Sequence, residues 1–93
     1  MPINISPTHT FTYAGAQINV FHANIGQGLP KHEHMYSHAT ICNAGKILIT
    51  LEGRSYTLDK YSEPLNLPAS EWHEISAIED YTVFVNIFEE GKY

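Results

Sequence analysis

A chain of 93 residues, 43% hydrophobic and 16% charged, can build one small domain with a thin core. Ten acidic residues against five singly scattered basic ones give a net charge of −5 and no basic stripe, which excludes nucleic acid as an expected partner. No apolar run approaches the roughly 20 residues that span a bilayer, no signal-peptide pattern opens the chain, and the single Cys42 excludes an internal disulfide. A cytoplasmic protein with no membrane partner is the expectation.

Taken in chain order, the expected elements are all strands. Short candidates cover 10–13 and 17–25, followed by a stretch punctuated by Gly26, Gly28 and Pro30. A strand at 38–43 leads to Gly45. The β-branched run 46–51 and the segment 55–58 then read as a hairpin turning at Gly53. Segments 64–67 and 73–76 are shorter. The run 81–88, rich in Val, Ile, Phe and Tyr, carries the strongest strand signal. No window shows the 3.6-residue apolar period of an amphipathic helix. Many short strands at this spacing imply a single antiparallel β-sandwich or barrel occupying 1–93.

Six histidines punctuate the chain: His9, His22, His32, His34, His38 and His73. An isolated histidine is most simply a surface or core residue, and His9 and His22 are read that way. His32 and His34 differ, because residues two apart on a strand share a face. Their rings then lie side by side, spaced to grip a metal at about 2.0–2.2 Å from each nitrogen. A helical pairing of His34 with His38 is disfavoured by the preceding Gly26, Gly28 and Pro30. His38, with His73 from "PASEWHEI", completes a four-nitrogen set if the chain folds back on itself.

The segment "GQGLPKHEHMYSHATICNAG" resembles the first motif of the cupin superfamily. Gly26 is followed after five residues by His32 and His34, after three more by His38, and after six more by Gly45. His38 stands where cupins usually carry glutamate. The second motif has its counterpart in "SEPLNLPASEWHEISA", where Pro68 and His73 match while Ser62, Ser70 and Ala77 replace two glycines and an asparagine. The resemblance, with motifs at about 26–45 and 62–77, implies an all-β fold: a small antiparallel jelly-roll β-barrel. It also implies a divalent transition metal (Fe, Mn, Ni or Zn) on His32, His34, His38 and His73. The His38 exchange leaves such a site formally at +2, so it should attract an anionic small-molecule ligand and favour the lower oxidation state of a redox metal. Four nitrogens on an octahedral ion leave two positions for water, dioxygen or a chelating substrate.

Alternation from His38 places Thr40 and Cys42 on the same inward face, and alternation from His73 does the same for Ile75 and Ala77. Cys42 is read as a small buried hydrophobe. Tyr36, between the second and third histidines, is the candidate proton donor to a metal-bound ligand, with a packed aromatic at the barrel mouth as its simpler reading. Glu33 should point away from the HxH pair, and Trp72 should pack on the outer sheet. One face of 81–88 must wall the cavity; its register is open. The functional expectation is a metal-dependent small-molecule enzyme of oxygenase, lyase or isomerase type. The alternative is a non-catalytic module that binds or senses a metal or small molecule. The thin core, low charge and family habit point to a homodimer.

Overall fold

The computed structural model describes Met1–Tyr93. It contains ten strands: β1 Ile3–Asn4, β2 His9–Tyr13, β3 Ala16–Ala23, β4 Gln27–His32, β5 His38–Ala44, β6 Ile47–Leu51, β7 Arg54–Leu58, β8 Leu65–Leu67, β9 His73–Ala77 and β10 Thr82–Glu89. No helix is long and apolar enough to cross a membrane. The strands form two five-stranded sheets, one ordered β1-β4-β9-β6-β7 and the other β2-β3-β10-β5-β8. We call them the β9 sheet and the β10 sheet. Pairing is antiparallel throughout except between β1 and β4, which run parallel. The expected jelly roll is present, but its two sheets face each other instead of closing into a continuously hydrogen-bonded barrel.

Eight of the strands follow the expected segments to within about two residues at each end; β1 and β4 were not expected. β1 has only two residues, too few for a pattern. β4 was masked by Gly28 and Pro30, which read as breakers, and both have a place in the strand. A side chain at Gly28 would run into the Ile75 carbonyl on β9, so only glycine permits this approach. Pro30 falls where the β4–β9 register shifts between Leu29 and His32, a bulge where a ladder N–H is dispensable. Gly45, between β5 and β6, has φ +70°, and a side chain there would strike Thr82.

Alternation assigns the faces. On β10, Thr82, Phe84, Asn86 and Phe88 turn inward, which settles the open register of that strand. Phe84 is fully buried and stacks on Phe21 of β3 at 4.8 Å. Around this pair, Ile47, Ile49 and Leu51 of β6, Ile75 of β9 and Leu67 of β8 form the apolar core. Burial of each such side chain contributes about 1.5–3 kcal/mol. Cys42 belongs to the same cluster; its thiol donates to the Ala44 carbonyl at 3.3 Å, and burial pushes it above its usual range. Further along the inner face of the β10 sheet the lining becomes polar, through Asn86 and Thr40 to His38.

Candidate metal centre

The site lies where the chain crosses from one sheet to the other. His32 ends β4 in the β9 sheet, and His38 begins β5 in the β10 sheet. His73 begins β9 and pairs directly with His32 across the ladder. The ring centroids of His32 and His73 are 4.4 Å apart, and those of His32 and His34 are 4.5 Å apart. The strand stops at His32, so His34 is not its strand-face neighbour as spacing implied. It sits on the crossing loop instead, and its carbonyl accepts the Ser70 N–H at 2.7 Å. Ser70 holds φ +60°. A non-glycine residue in this left-handed conformation is strained by about 1 kcal/mol or more, and it occupies the position where the resemblance expects glycine.

The candidate ligand nitrogens of His32, His34 and His73 lie within 4.8 Å of one another. His38 joins this trio through His73, with the two Nε2 atoms 3.4 Å apart. Nitrogens bound to one ion at about 2.1 Å, at angles between tetrahedral and right-angled, stand roughly 3.0–3.4 Å from each other. The pair therefore has the spacing of two ligands on one ion.

Backbone carbonyls orient the rings. Nδ1–H of His32 donates to the Pro30 carbonyl at 2.5 Å, and Nδ1–H of His73 donates to the Glu71 carbonyl at 3.3 Å. A carbonyl only accepts, so these hydrogen bonds fix the proton on Nδ1 and leave Nε2 with its lone pair free. The His38 Nδ1 lies 3.5 Å from the Thr40 hydroxyl, which itself donates to Asn86 Oδ1 at 2.7 Å. The loop carrying the Glu71 carbonyl is steadied by a two-pronged Arg54–Glu71 pair at 2.7 and 3.2 Å.

Burial and mutual repulsion keep His34, His38 and His73 uncharged at neutral pH. Burial, reinforced by His32 and His38, lowers His34 to about 4. Burial and the three neighbouring imidazoles lower His73 to about 3. His38 is lowered as well, chiefly by burial. Neutral imidazoles are the form that binds metal. The Nε2 of His34 is buried and has no hydrogen-bond partner. A buried unpaired nitrogen costs about 1–3 kcal/mol, and a cation shared with its neighbours would satisfy it. The residues present therefore fit a divalent metal.

A cavity of about 350 Å³ opens beside the cluster, lined by Asn4, Leu29, Pro30, Lys31, His32, His34 and Tyr93. Tyr93 had no sequence signal. Its ring lies 4.1 Å from His34 and 4.6 Å from Phe88, and burial raises its phenol above the ordinary range. Lys31, also on the cavity lining, rests its ammonium 4.4 Å from the centre of the Trp72 ring. Tyr36 lies exposed on the crossing loop, 6.0 Å from Lys92, and is not among the cavity-lining residues. His9 and His22 lie apart from the site on the outer face of the β10 sheet.

No sequence-family model matches the chain, nor does any curated protein. Solved structures do match. A cupin-2 domain-containing protein from Shewanella frigidimarina superimposes with TM-score 0.73 at 16% identity, covering 92% of this chain and 84% of that one. A cupin superfamily protein from Desulfitobacterium hafniense gives TM-score 0.72 at 17% identity, covering 94% and 83%. A cupin protein from Bacteroides fragilis gives TM-score 0.67 at 24% identity, covering 87% and 71%. With its two facing sheets, its crossing loop and its histidine cluster, the chain has the fold of the cupin superfamily.

Proposed function

We propose that His32, His34, His38 and His73 hold one divalent transition metal through their Nε2 atoms, and that the protein binds and transforms a small anionic molecule beside them. The observation that carries this reading is the buried, unpartnered Nε2 of His34, neutral at pH 7 and set among three further imidazoles. An Fe, Mn, Ni or Zn ion bound there would supply Lewis acidity or, where redox-active, dioxygen activation. The chain's own residues do the rest. Lys31 provides a cation at the mouth, Leu29 and Pro30 exclude water from one wall, and the Asn4 amide offers polar contacts. The Tyr93 phenol retains its proton at neutral pH and can donate a hydrogen bond to a ligand oxygen.

One observation favours a second reading, a non-catalytic binding module: apart from the histidines, Lys31 and Tyr93 are the only proton carriers lining the cavity. Purified protein should contain close to one metal ion per chain. Iron- or manganese-loaded protein is then incubated with small carboxylic acids and diols while oxygen uptake and product are followed. Turnover supports the enzyme, and full metal content with no turnover across the panel supports the binding module. A chain that retains no metal sinks both.

A further inference from the structure

The far end of the molecule holds a second cavity. Gln27 and His32 are the two ends of the six-residue β4, roughly 17 Å apart. Beside Gln27 lies a space of about 430 Å³ whose lining includes His22, Asn24, Gln27 and Tyr81, and no lysine, arginine, aspartate or glutamate. Side chains brace the turns that build it. The Asn24 N–H donates to Gln27 Oε1 at 2.8 Å, and the Tyr81 N–H donates to Asn24 Oδ1 at 3.0 Å. The Ile25 N–H donates to Asp80 Oδ1 at 3.0 Å and ties the two turns together. A backbone N–H only donates, so each carboxamide is fixed with its oxygen on the backbone, and its NH2 group is left without a partner in the protein. His22 has its Nδ1 2.6 Å from the Thr8 hydroxyl, which leaves Nε2 as its free nitrogen. Tyr81 stands where the backbone favours glycine. Its φ is +59°, strained for a bulky side chain. At 87% exposure, core packing does not account for it. Such strain clusters at ligand-binding sites.

We propose that this cavity binds a neutral, hydroxyl-rich ring, a monosaccharide or cyclic polyol. The Tyr81 ring is its stacking face, and the Asn24 and Gln27 amides donate to its oxygens. Such a ligand pairs an apolar C–H face with a rim of hydroxyls, and the lining pairs an aromatic face with fixed, uncharged donors. Charge selects against the alternatives. The lining holds no cation for an anionic ligand and no carboxylate for a cationic one. Glu79 and Asp80, which precede Tyr81, and the net charge of −5 further oppose an anion. Because the donors are anchored before the ligand arrives, little side-chain freedom is lost on binding. The site differs from the histidine cavity in place and in charge preference, since that cavity has Lys31 in its lining. It does not depend on metal.

The full chain is titrated with D-glucose, D-galactose, D-mannose and myo-inositol while NMR follows the side-chain amides. At least one of the four is expected to shift the Asn24 and Gln27 NH2 signals saturably, with a Kd of about a millimolar. Inorganic phosphate, the charged control, should leave them in place. Tyr81→Gly is expected to weaken binding about tenfold while raising Tm by a few degrees, because glycine adopts φ +59° without strain. Tyr81→Phe keeps the stacking face and should bind nearly as well as wild type. Gln27→Ala, which gives up a donor and one exposed turn hydrogen bond, should also weaken binding about tenfold. No saturable shift with any of the four overturns the proposal, and so does phosphate shifting these amides more strongly than the sugars. Binding that Tyr81→Gly and Gln27→Ala leave unchanged overturns it too. A lowered Tm in Tyr81→Gly does the same, since Tyr81 would then be held for packing.

Discussion

The six histidines fall into two groups that show why closeness alone does not make a site. His9 and His22 lie 6.0 Å apart on the outer face of the β10 sheet, both exposed, each with its Nδ1 against the same Thr8 hydroxyl at 3.2 and 2.6 Å. Nothing aims their remaining nitrogens at a common point. In the cavity group the Nδ1 protons of His32 and His73 are tied to backbone carbonyls, so the free Nε2 atoms face inward by construction. His38 and His73 are 4% and 1% exposed, and that burial keeps the rings neutral and unsolvated. Anchoring and desolvation, more than proximity, separate the two groups.

The contrast can be broken most sharply by removing cavity imidazoles. His34→Ala combined with His38→Ala should abolish stoichiometric metal, with affinity falling beyond the roughly 10–100-fold typical of losing an outer partner. Elemental analysis after dialysis measures it, and full occupancy in the double variant would sink the site.

The next largest effect concerns acid. Above the unfolded-state value of 6.5 the folded and unfolded chains are both neutral at His34 and His73, and the contribution of these groups to stability is complete. As pH falls below 6.5 the unfolded chain takes up protons that the fold refuses, until about 4 for His34 and about 3 for His73. The metal-free protein therefore loses stability across that window. His73 alone accounts for about 1.4 kcal/mol per pH unit, or a fall in Tm of roughly 7 °C. Thermal melts at several pH values test this, and a flat Tm between pH 6 and 4.5 would contradict neutral His34 and His73 in the fold.

Thr40→Val removes the hydroxyl between His38 and Asn86 without changing shape. It should cost about 1–2 kcal/mol in denaturant unfolding, and about tenfold in metal affinity by competition with a chelating dye. The smallest effect is expected from the surface pair. His9→Ala and His22→Ala should leave metal content unchanged and shift stability by no more than about 0.5 kcal/mol. A measurable loss of metal there would erase the distinction between the groups.

Much of this organisation is legible locally. Period-two alternation, β-branched runs and turn glycines act within a few residues. They place most strands and carry His38, Thr40 and Cys42 to one inward face. The spacing of His32, His34 and His38 to Gly26 and Gly45 picks out the histidines that the fold gathers. Other features depend on residues distant in sequence. Gly28 and Pro30 look like breakers until Ile75 and the bulge beside it are in place. Tyr93 reaches His34, and Asn86 reaches Thr40, only because the chain returns past both. Ser70 accepts a strained backbone because it anchors the loop that carries His34.

Local patterning thus determined that the chain would form alternating strands with a histidine-dense turn, because side-chain direction along a strand has a fixed period. Tertiary structure alone decided that His32 and His73 would face each other and that His38 would approach from the opposite sheet. Those outcomes depend on which strands become neighbours and in what register, and no stretch of sequence contains that information by itself.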